Sequence, residues 1–467
     1  MKIRNLLKIS GLTLTVFLIS YFFTDKAFCE PPDDNITPPA PVRMNLPECS
    51  REVKLIDASD VINIANFISE NYYEPLSSED LLTVFINSAN DESIRRNKPL
   101  LVPPPVADTA EYRNMPVSER IKIAIKNSGM TSEELQPFLK AGITGMAASL
   151  NDKGCKFSLL GTFMPTLRDA GYNQGGCGFF ADEKPDSEGR YVVLETLGDF
   201  PAEKEGIMPG DLIVQVDKKT VKGLSFLELA GLIRGPVGTS VLLTIYRPSD
   251  NSERDVLIKR TWLSPNNNSL RSRILPEGVG YVKFRFLGVR MSFTLRDVCN
   301  QLKNAGCNSF IWDMRNSAGE LRGGIDLAYC FVPENQIYLV RVFRKDEEVF
   351  RGSGNPPATA PKVILINKNT SPSCTLLALV MKKFAGSVLV GESTVWETDL
   401  VLHKTVQDAG IITVVNGYYK LPGGITLKDG DQISPDEEVV QSSLIPPGEE
   451  GDIQLQKALE IASGLKK

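Results

Sequence analysis

The spacing of hydrophobic positions changes character along the chain. From Asp57 to about Ser158 they recur at helical intervals. Ile62, Ile64, Phe67 and Ile68 build one apolar face, and Leu135, Phe138, Leu139 and Ile143 another. Pro103-Pro104-Pro105 interrupts this region. From Tyr172 to Trp262 the runs are short and alternating, with glycines between them, which predicts β-strands. Beyond Gly278, strand-like and helix-like runs alternate. A strand is expected from Val279 to Phe286, a helix near Leu295 to Asn304, a strand at Phe310-Ile311-Trp312 and a terminal amphipathic helix from Asp452 to Leu465. There is no tandem repeat. The predicted class is mixed α/β, with an N-terminal helical region (51–170), a β-rich domain (171–263) and an α/β core closed by a C-terminal helix (264–467).

Composition adds an address to this picture. Lys2, Arg4 and Lys8 precede an uncharged stretch from Ile9 to Phe23. A basic start and about fifteen apolar residues is the layout of a secretory signal, and it is short of the roughly 20 residues of a spanning helix. Residues 1–29 are therefore expected to be a signal peptide or an N-terminal anchor, with Ala27-Phe28-Cys29 as a cleavage site or Cys29 as a lipid attachment point. Each alternative puts the body outside the cytoplasm, periplasmic or secreted, with membrane contact only through this segment. Residues 30–50, with six prolines, read as an extended linker.

Charge and cysteine usage narrow the chemistry. The formal net charge is −5, and no basic run occurs beyond the first ten residues, which argues against a nucleic-acid partner. His403 is the single histidine, and no CxxC pair occurs, so neither a metal site nor any other cofactor is expected. The scattered cysteines read as small buried hydrophobes. A Cys299–Cys307 bridge is conceivable, and sequence alone does not establish it.

Three features of the 176–263 stretch carry a binding function. Gly176-Cys177-Gly178-Phe179-Phe180 sets glycines before an apolar strand. Pro201 to Asp211 (Pro-Ala-Glu-Lys-Glu-Gly-Ile-Met-Pro-Gly-Asp) reads as a helical turn, a glycine stop and a tight turn into the strand Leu212 to Asp217. Ser225 to Ile233 forms a helix, and Arg234-Gly235-Pro236-Val237-Gly238-Thr239 leads into the strand Val241 to Tyr246. This order resembles a PDZ domain, in particular those inside proteases. The resemblance implies strand addition: a peptide pairs with the edge at Phe179, Phe180 and Ala181 and lies against a helix presenting Leu229 and Ile233. Backbone N–H groups around Gly176, Cys177 and Gly178 would receive its terminal carboxylate, since glycine permits close approach. The implied partners are C-terminal tails of other proteins.

The flanking segments resemble the C-terminal processing peptidases, the tail-specific serine proteases. Gly145-Met146 with Ser149-Leu150-Asn151-Asp152 is similar to the run before their inserted PDZ domain. Gly280-Tyr281-Val282 is similar to the first strand of their core, and Asp313-Met314-Arg315-Asn316-Ser317-Ala318-Gly319 to their Asp-Leu-Arg-Asn-Asn-Pro-Gly motif. Val363 to Asn367, Gly391-Glu392-Ser393-Thr394, Tyr418-Tyr419 and Ser434-Pro435-Asp436 follow in the family's order. The resemblance spans about Asp57 to Leu465.

The family's chemistry uses a serine nucleophile, a lysine base and an oxyanion pocket of backbone N–H groups. Aligned without gaps, the nucleophile position is Pro372, the lysine position Glu397 and the supporting glutamine position Val401. Gly319 and Ser373 fall where the two oxyanion donors are expected. Proline carries no nucleophile, and a carboxylate at 397 opposes a nearby oxyanion. The resemblance therefore implies a degenerate protease that keeps its peptide groove, acting alone or alongside an active protease paralogue. The alternatives are an active endopeptidase with a relocated dyad drawn from Ser371, Ser373 and Lys404, a Cys374–His403 pair, or a purely structural subunit.

Overall fold

The computed structural model describes residues 54–464 except 102–114, 151, 153, 160–173, 199, 262–268, 290, 399, 408 and 442–444. The N-terminal signal-like run, the linker, Pro103–Pro105 and the expected strand start at Tyr172 lie outside the described residues.

Four helices open the described chain: Ala58–Asn71, Ser78–Arg95, Val117–Asn127 and Ser132–Ala148. Two of them begin at capping boxes, Asp57 with Asp60 and Thr131 with Glu134, which satisfy amide groups that a helix start leaves bare. Their apolar faces meet around Ile64, Ile68, Phe85, Leu139 and Ile143. The predicted helical stretch ends earlier than expected, because Lys156–Leu159 is a strand. It pairs antiparallel with Gly410–Val415, which in turn pairs with Val401–Val406. Val406, Ile412 and Val414 join the same apolar cluster as the helices. Residues 401–415, placed in the α/β core by sequence, thus complete the N-terminal unit. Pairing between residues some 250 positions apart leaves no local mark.

The second unit is a small sheet in the order Phe179–Ala181, Tyr191–Thr196, Leu212–Val216, Ser240–Arg247, Ser252–Lys259. The eight-residue helix Phe226–Ile233 covers its core, started by a Ser225–Glu228 capping box. Among the described residues the Phe179–Ala181 strand has one neighbour, Tyr191–Thr196, and its outer edge is unpaired.

The third unit is a six-stranded sheet in the order Leu270–Leu275, Val279–Phe284, Ser309–Asp313, Val363–Ile366, Val388–Gly391, Glu437–Glu438. Its first pair is antiparallel and the rest are parallel. Side chains alternate between two faces, as strand geometry requires. Val282, Trp312 and Ile364 face the helices Met291–Asn304, Leu321–Phe331 and Pro372–Ala385. Tyr281, Ile311 and Val363 face the C-terminal helix Ile453–Ser463.

Charges run through this core. Arg315 is buried and donates to Asp313 and to Asp452, the N-cap of the terminal helix, at 2.6–3.0 Å. Tyr281 donates to Asp313 Oδ2 at 2.7 Å. Burial alone would raise the Asp313 carboxyl, but the Arg315 and Lys283 charges outweigh it and hold it below the ordinary value. A carboxyl depressed in the fold contributes stability above its unfolded value near pH 4 and loses it as pH falls. Removing one partner of a buried pair strands the other, at about 3–5 kcal/mol. Arg315→Ala is expected to lower unfolding free energy by roughly that amount in denaturant titrations, and the wild-type stability should decline through the acid range below pH 4.

Candidate functional site

In open α/β sheets, ligands meet the carboxyl ends of the parallel strands. Here the loop after Ser309–Asp313 and the loop after Val363–Ile366 face each other at that end. Asn316, with φ 51°, accepts from the side-chain amides of Asn367 and Asn369 at 2.8 and 3.2 Å, and its own N–H donates to Asn367 Oδ1 at 3.0 Å. Thr370 Oγ1 donates to the Met314 carbonyl at 3.1 Å. The two loops are thereby locked before the chain turns at Ser371 into the helix Pro372–Ala385.

Pro372 is the first residue of that helix, where the missing N–H costs nothing. Ser371 is the N-cap, but its side chain makes no capping bond. Its hydroxyl instead meets the Ser373 hydroxyl at 2.9 Å. Ser373 is fully buried and its Oγ presses on Gly319, where a Cβ would sit 2.3 Å away. The expected oxyanion pair, Gly319 and Ser373, is thus brought together, with the serine side chain filling the space between them. Cys374 is also fully buried, and burial pushes its thiol up against the opposing pull of Ser317, Ser371, Lys283 and Ser373 around it.

The base position does not join this cluster. The Thr394 hydroxyl donates to the Thr370 carbonyl at 3.0 Å, so the segment leading to Glu397 starts beside the Ser371 turn. Glu397 itself is exposed. Its neighbours Trp396 and Thr398 are pinned by hydrogen bonds to the Asp431 carbonyl and the Asp429 carboxylate. Val401 is half-buried against the N-terminal helices.

The relocated pairs are not formed. Lys404 donates to the Asn63 carbonyl at 3.1 Å and lies over the Phe67 ring, 5.2 Å from its centroid. It belongs to the N-terminal unit, whereas Ser371 and Ser373 belong to the core. His403 Nδ1 meets Thr413 Oγ1 at 2.9 Å on the same remote sheet, away from Cys374. Cys299 and Cys307 are free and buried, so the bridge that spacing allowed is absent.

Reasoning from sequence missed a seam of charges between the second unit and the core. Glu203 pairs with Arg285 at 2.6 Å and with Arg271. Lys283, inside the apolar strand Val279–Phe284, lies 3.7 Å from both Glu195 and Asp313 and donates to the Arg315 carbonyl. Lys368 in the loop before Ser371 pairs with Asp182 at 3.2 Å, just past the edge strand. A lysine and an arginine at 283 and 285 within a buried apolar run were the available signal, since such residues are rarely buried unpaired.

The expected peptide groove is assembled in part. Phe179, Phe180 and Ala181 are half-buried along the open edge. Cys177, Leu229 and Ile233 pack into the domain's own core, so Leu229 and Ile233 line its interior more than a groove. The partly exposed residues of the helix are Phe226, Ala230 and Leu232. Gly178 has φ 87° and faces Phe200, whose Cβ would lie 2.2 Å from any side chain there. The amide groups of Cys177 and Gly178 donate to nothing among the described residues, while their carbonyls accept from Ala202 and Leu197.

Residues 278–439 match the sequence model of peptidase family S41, and residues 199–247 that of a PDZ domain. The core is that of an S41 peptidase, and a PDZ domain precedes it. Among similar proteins, the carboxyl-terminal-processing protease of Synechocystis sp. is 29% identical over 279 residues, 58% of this chain and 65% of that protein. The carboxy-terminal processing protease CtpA of Bacillus subtilis is 25% identical over 296 residues, 62% of this chain and 61% of that protein. The chain spans just under two thirds of the length of these two relatives. A solved photosystem II D1 C-terminal processing protease superposes with a TM-score of 0.49 at 18% identity, covering 82% of this chain and 93% of that one.

Burial makes three thiols inert, pushing Cys155 of the N-terminal unit, Cys177 of the PDZ domain and Cys299 of the core up to about 12. Alkylation at pH 8 followed by peptide mapping should leave these three and Cys374 unlabelled in the folded protein and label the partly exposed Cys330 ahead of them.

Proposed function

We propose that this S41-family chain binds the C-terminal tails of other polypeptides through its PDZ groove and does not cleave them. The single observation that carries this reading is the pair of unengaged amides at Cys177 and Gly178 beside an open strand edge, in a chain whose nucleophile and base positions are Pro372 and Glu397. The edge strand supplies backbone pairing for an extended peptide. Two N–H groups held by a left-handed glycine supply a cradle for its carboxylate. The names of the relatives, which speak of carboxyl-terminal processing, support tails as the ligand class.

The described residues bring no general base to the Ser371 turn. Among the described residues, no lysine or histidine hydrogen-bonds to Ser371 or Ser373. Such a pair is needed to raise the nucleophilicity of a hydroxyl. The basic and apolar start of the sequence supports an exported protein, periplasmic or secreted, held at the membrane only by that segment. Tail binding without cleavage suits a protein that holds or delivers extracytoplasmic polypeptides, or presents them to an active protease paralogue.

Tail peptides ending in apolar residues, offered to the purified protein, should be bound and remain intact by mass spectrometry. Ser371→Ala, Ser373→Ala and Lys404→Ala should leave that result unchanged. Cleavage abolished by any of these three would establish the active endopeptidase with a relocated dyad instead. Gly178→Val should weaken tail binding at least tenfold, because it combines a strained φ with a clash against the Phe200 Cβ and closes the cradle.

A further inference from the structure

The last strand of the PDZ domain ends in a cation with no counter-charge. Arg260 is 8% exposed. Its guanidinium donates to the Leu232 and Ile233 carbonyls at 3.0 and 2.7 Å, to the Ser240 carbonyl at 2.8 Å and to Thr239 Oγ1 at 3.1 Å. Among the described residues, no carboxylate lies within ion-pair distance of it, in contrast to the buried cations Lys283, Arg285 and Arg315 of the core. Hydrogen bonds to neutral oxygens satisfy its donors but leave the charge itself unbalanced, and a buried charge is costly unless paired. The negative end of the Phe226–Ile233 helix, at carbonyls 232 and 233, offsets part of it.

Its place in the fold gives that charge a use. Gly175 and Gly235 lie directly on Arg260: a Cβ at 235 would be 3.0 Å from its Cζ, and one at 175 would be 3.1 Å from its Cβ. Those two glycines pair with each other across the strands Gln174–Gly175 and Gly235–Pro236. The chain then passes through Gly176 to the unengaged amides of Cys177 and Gly178. The Arg260 charge reaches this loop, for it offsets part of the burial effect on the Cys177 thiol. The guanidinium therefore lies beneath the carboxylate cradle and holds the helix end that borders it.

We propose that Arg260 is a specificity-determining residue: its buried, unpaired charge makes the groove select a free terminal carboxylate over a neutral chain end or an internal segment. This rests on the tail-binding reading above. Arg260 acts through space, since its donors are committed to carbonyls and a hydroxyl, and the ligand's carboxylate sits on the Cys177 and Gly178 amides. Binding of the tail brings in a counter-ion that the described residues of the domain do not supply. A neutral amide makes the same backbone contacts but leaves the cation unbalanced.

The test uses the full chain and an array of labelled peptides ending in apolar residues, each made as free acid and as C-terminal amide. Wild type should prefer the acid form of its best peptide by roughly tenfold or more, the scale of a charge pair several ångströms apart inside a protein. Arg260→Gln should bring the acid-to-amide ratio close to one, whatever the loss of its carbonyl contacts does to the affinity for both forms together. Arg260→Lys keeps the charge and should keep the preference, even where the loss of carbonyl contacts lowers overall affinity. A ratio unchanged in Arg260→Gln, or both forms weakened equally, overturns the proposal and leaves Arg260 a structural clamp. If Arg260→Gln does not fold, Arg260→Lys decides: loss of the ratio there overturns it and retention supports it. If wild type binds neither form of any peptide, the tail-binding reading itself fails, and this one with it.

Discussion

The buried ion-pair chain Asp452–Arg315–Asp313–Lys283–Glu195 is the constraint around which this molecule is arranged. Arg315 joins the end of a central strand to the cap of the terminal helix. Lys283 continues the chain of charges to the PDZ domain through Glu195. Each member is buried, so each needs its neighbours to remain charged. That mutual need fixes three separate pieces of the sequence against one another: the core sheet, the C-terminal helix and the PDZ sheet. Apolar contacts could hold the same pieces with similar strength but with less demand for a single geometry.

The consequences reach both candidate sites. The seam seats the PDZ domain over the carboxyl ends of the core strands, and further polar ties follow from that seating. Asp182, just past the groove's edge strand, pairs with Lys368 in the loop leading to the Ser371 turn. Asn316 donates to the Leu194 carbonyl of the PDZ sheet at 3.4 Å while it organises Asn367 and Asn369. The groove and the degenerate centre thus share a rigid polar frame. At the Ser371 turn Pro372 opens the helix, Ser373 fills the space beside Gly319, and Glu397 stands in solvent. Arg260 shows a different pattern within the PDZ domain: its guanidinium is held by carbonyls and a hydroxyl, with no carboxylate at ion-pair distance among the described residues.

Local signals were strong where the physics is local. The N-terminal helical region followed from hydrophobic spacing, strand runs from alternation, and the PDZ-like order from its turns. The same holds for what is missing: Pro372 can carry no nucleophile in any fold. Long-range facts were out of reach. The strand Lys156–Leu159 pairs with Gly410–Val415, and no property of either segment names the other. Leu229 and Ile233 were expected along the groove, but the small domain needs them for its own core, because eight helical residues leave few apolar side chains to fill it.

The sequence alone determined the order of the modules, the class of fold and the presence of Pro372 and Glu397 where the resemblance expects a serine and a lysine, because identity and spacing are properties of the chain. Only the tertiary structure decided which charges are buried and who balances them. It separated Lys404 and His403 from the Ser371 turn, left Cys299 and Cys307 unbridged, and set the Arg260 guanidinium on carbonyls at the end of the PDZ helix. Burial and pairing depend on distances between residues far apart in sequence, and those distances are set by packing, not by order along the chain.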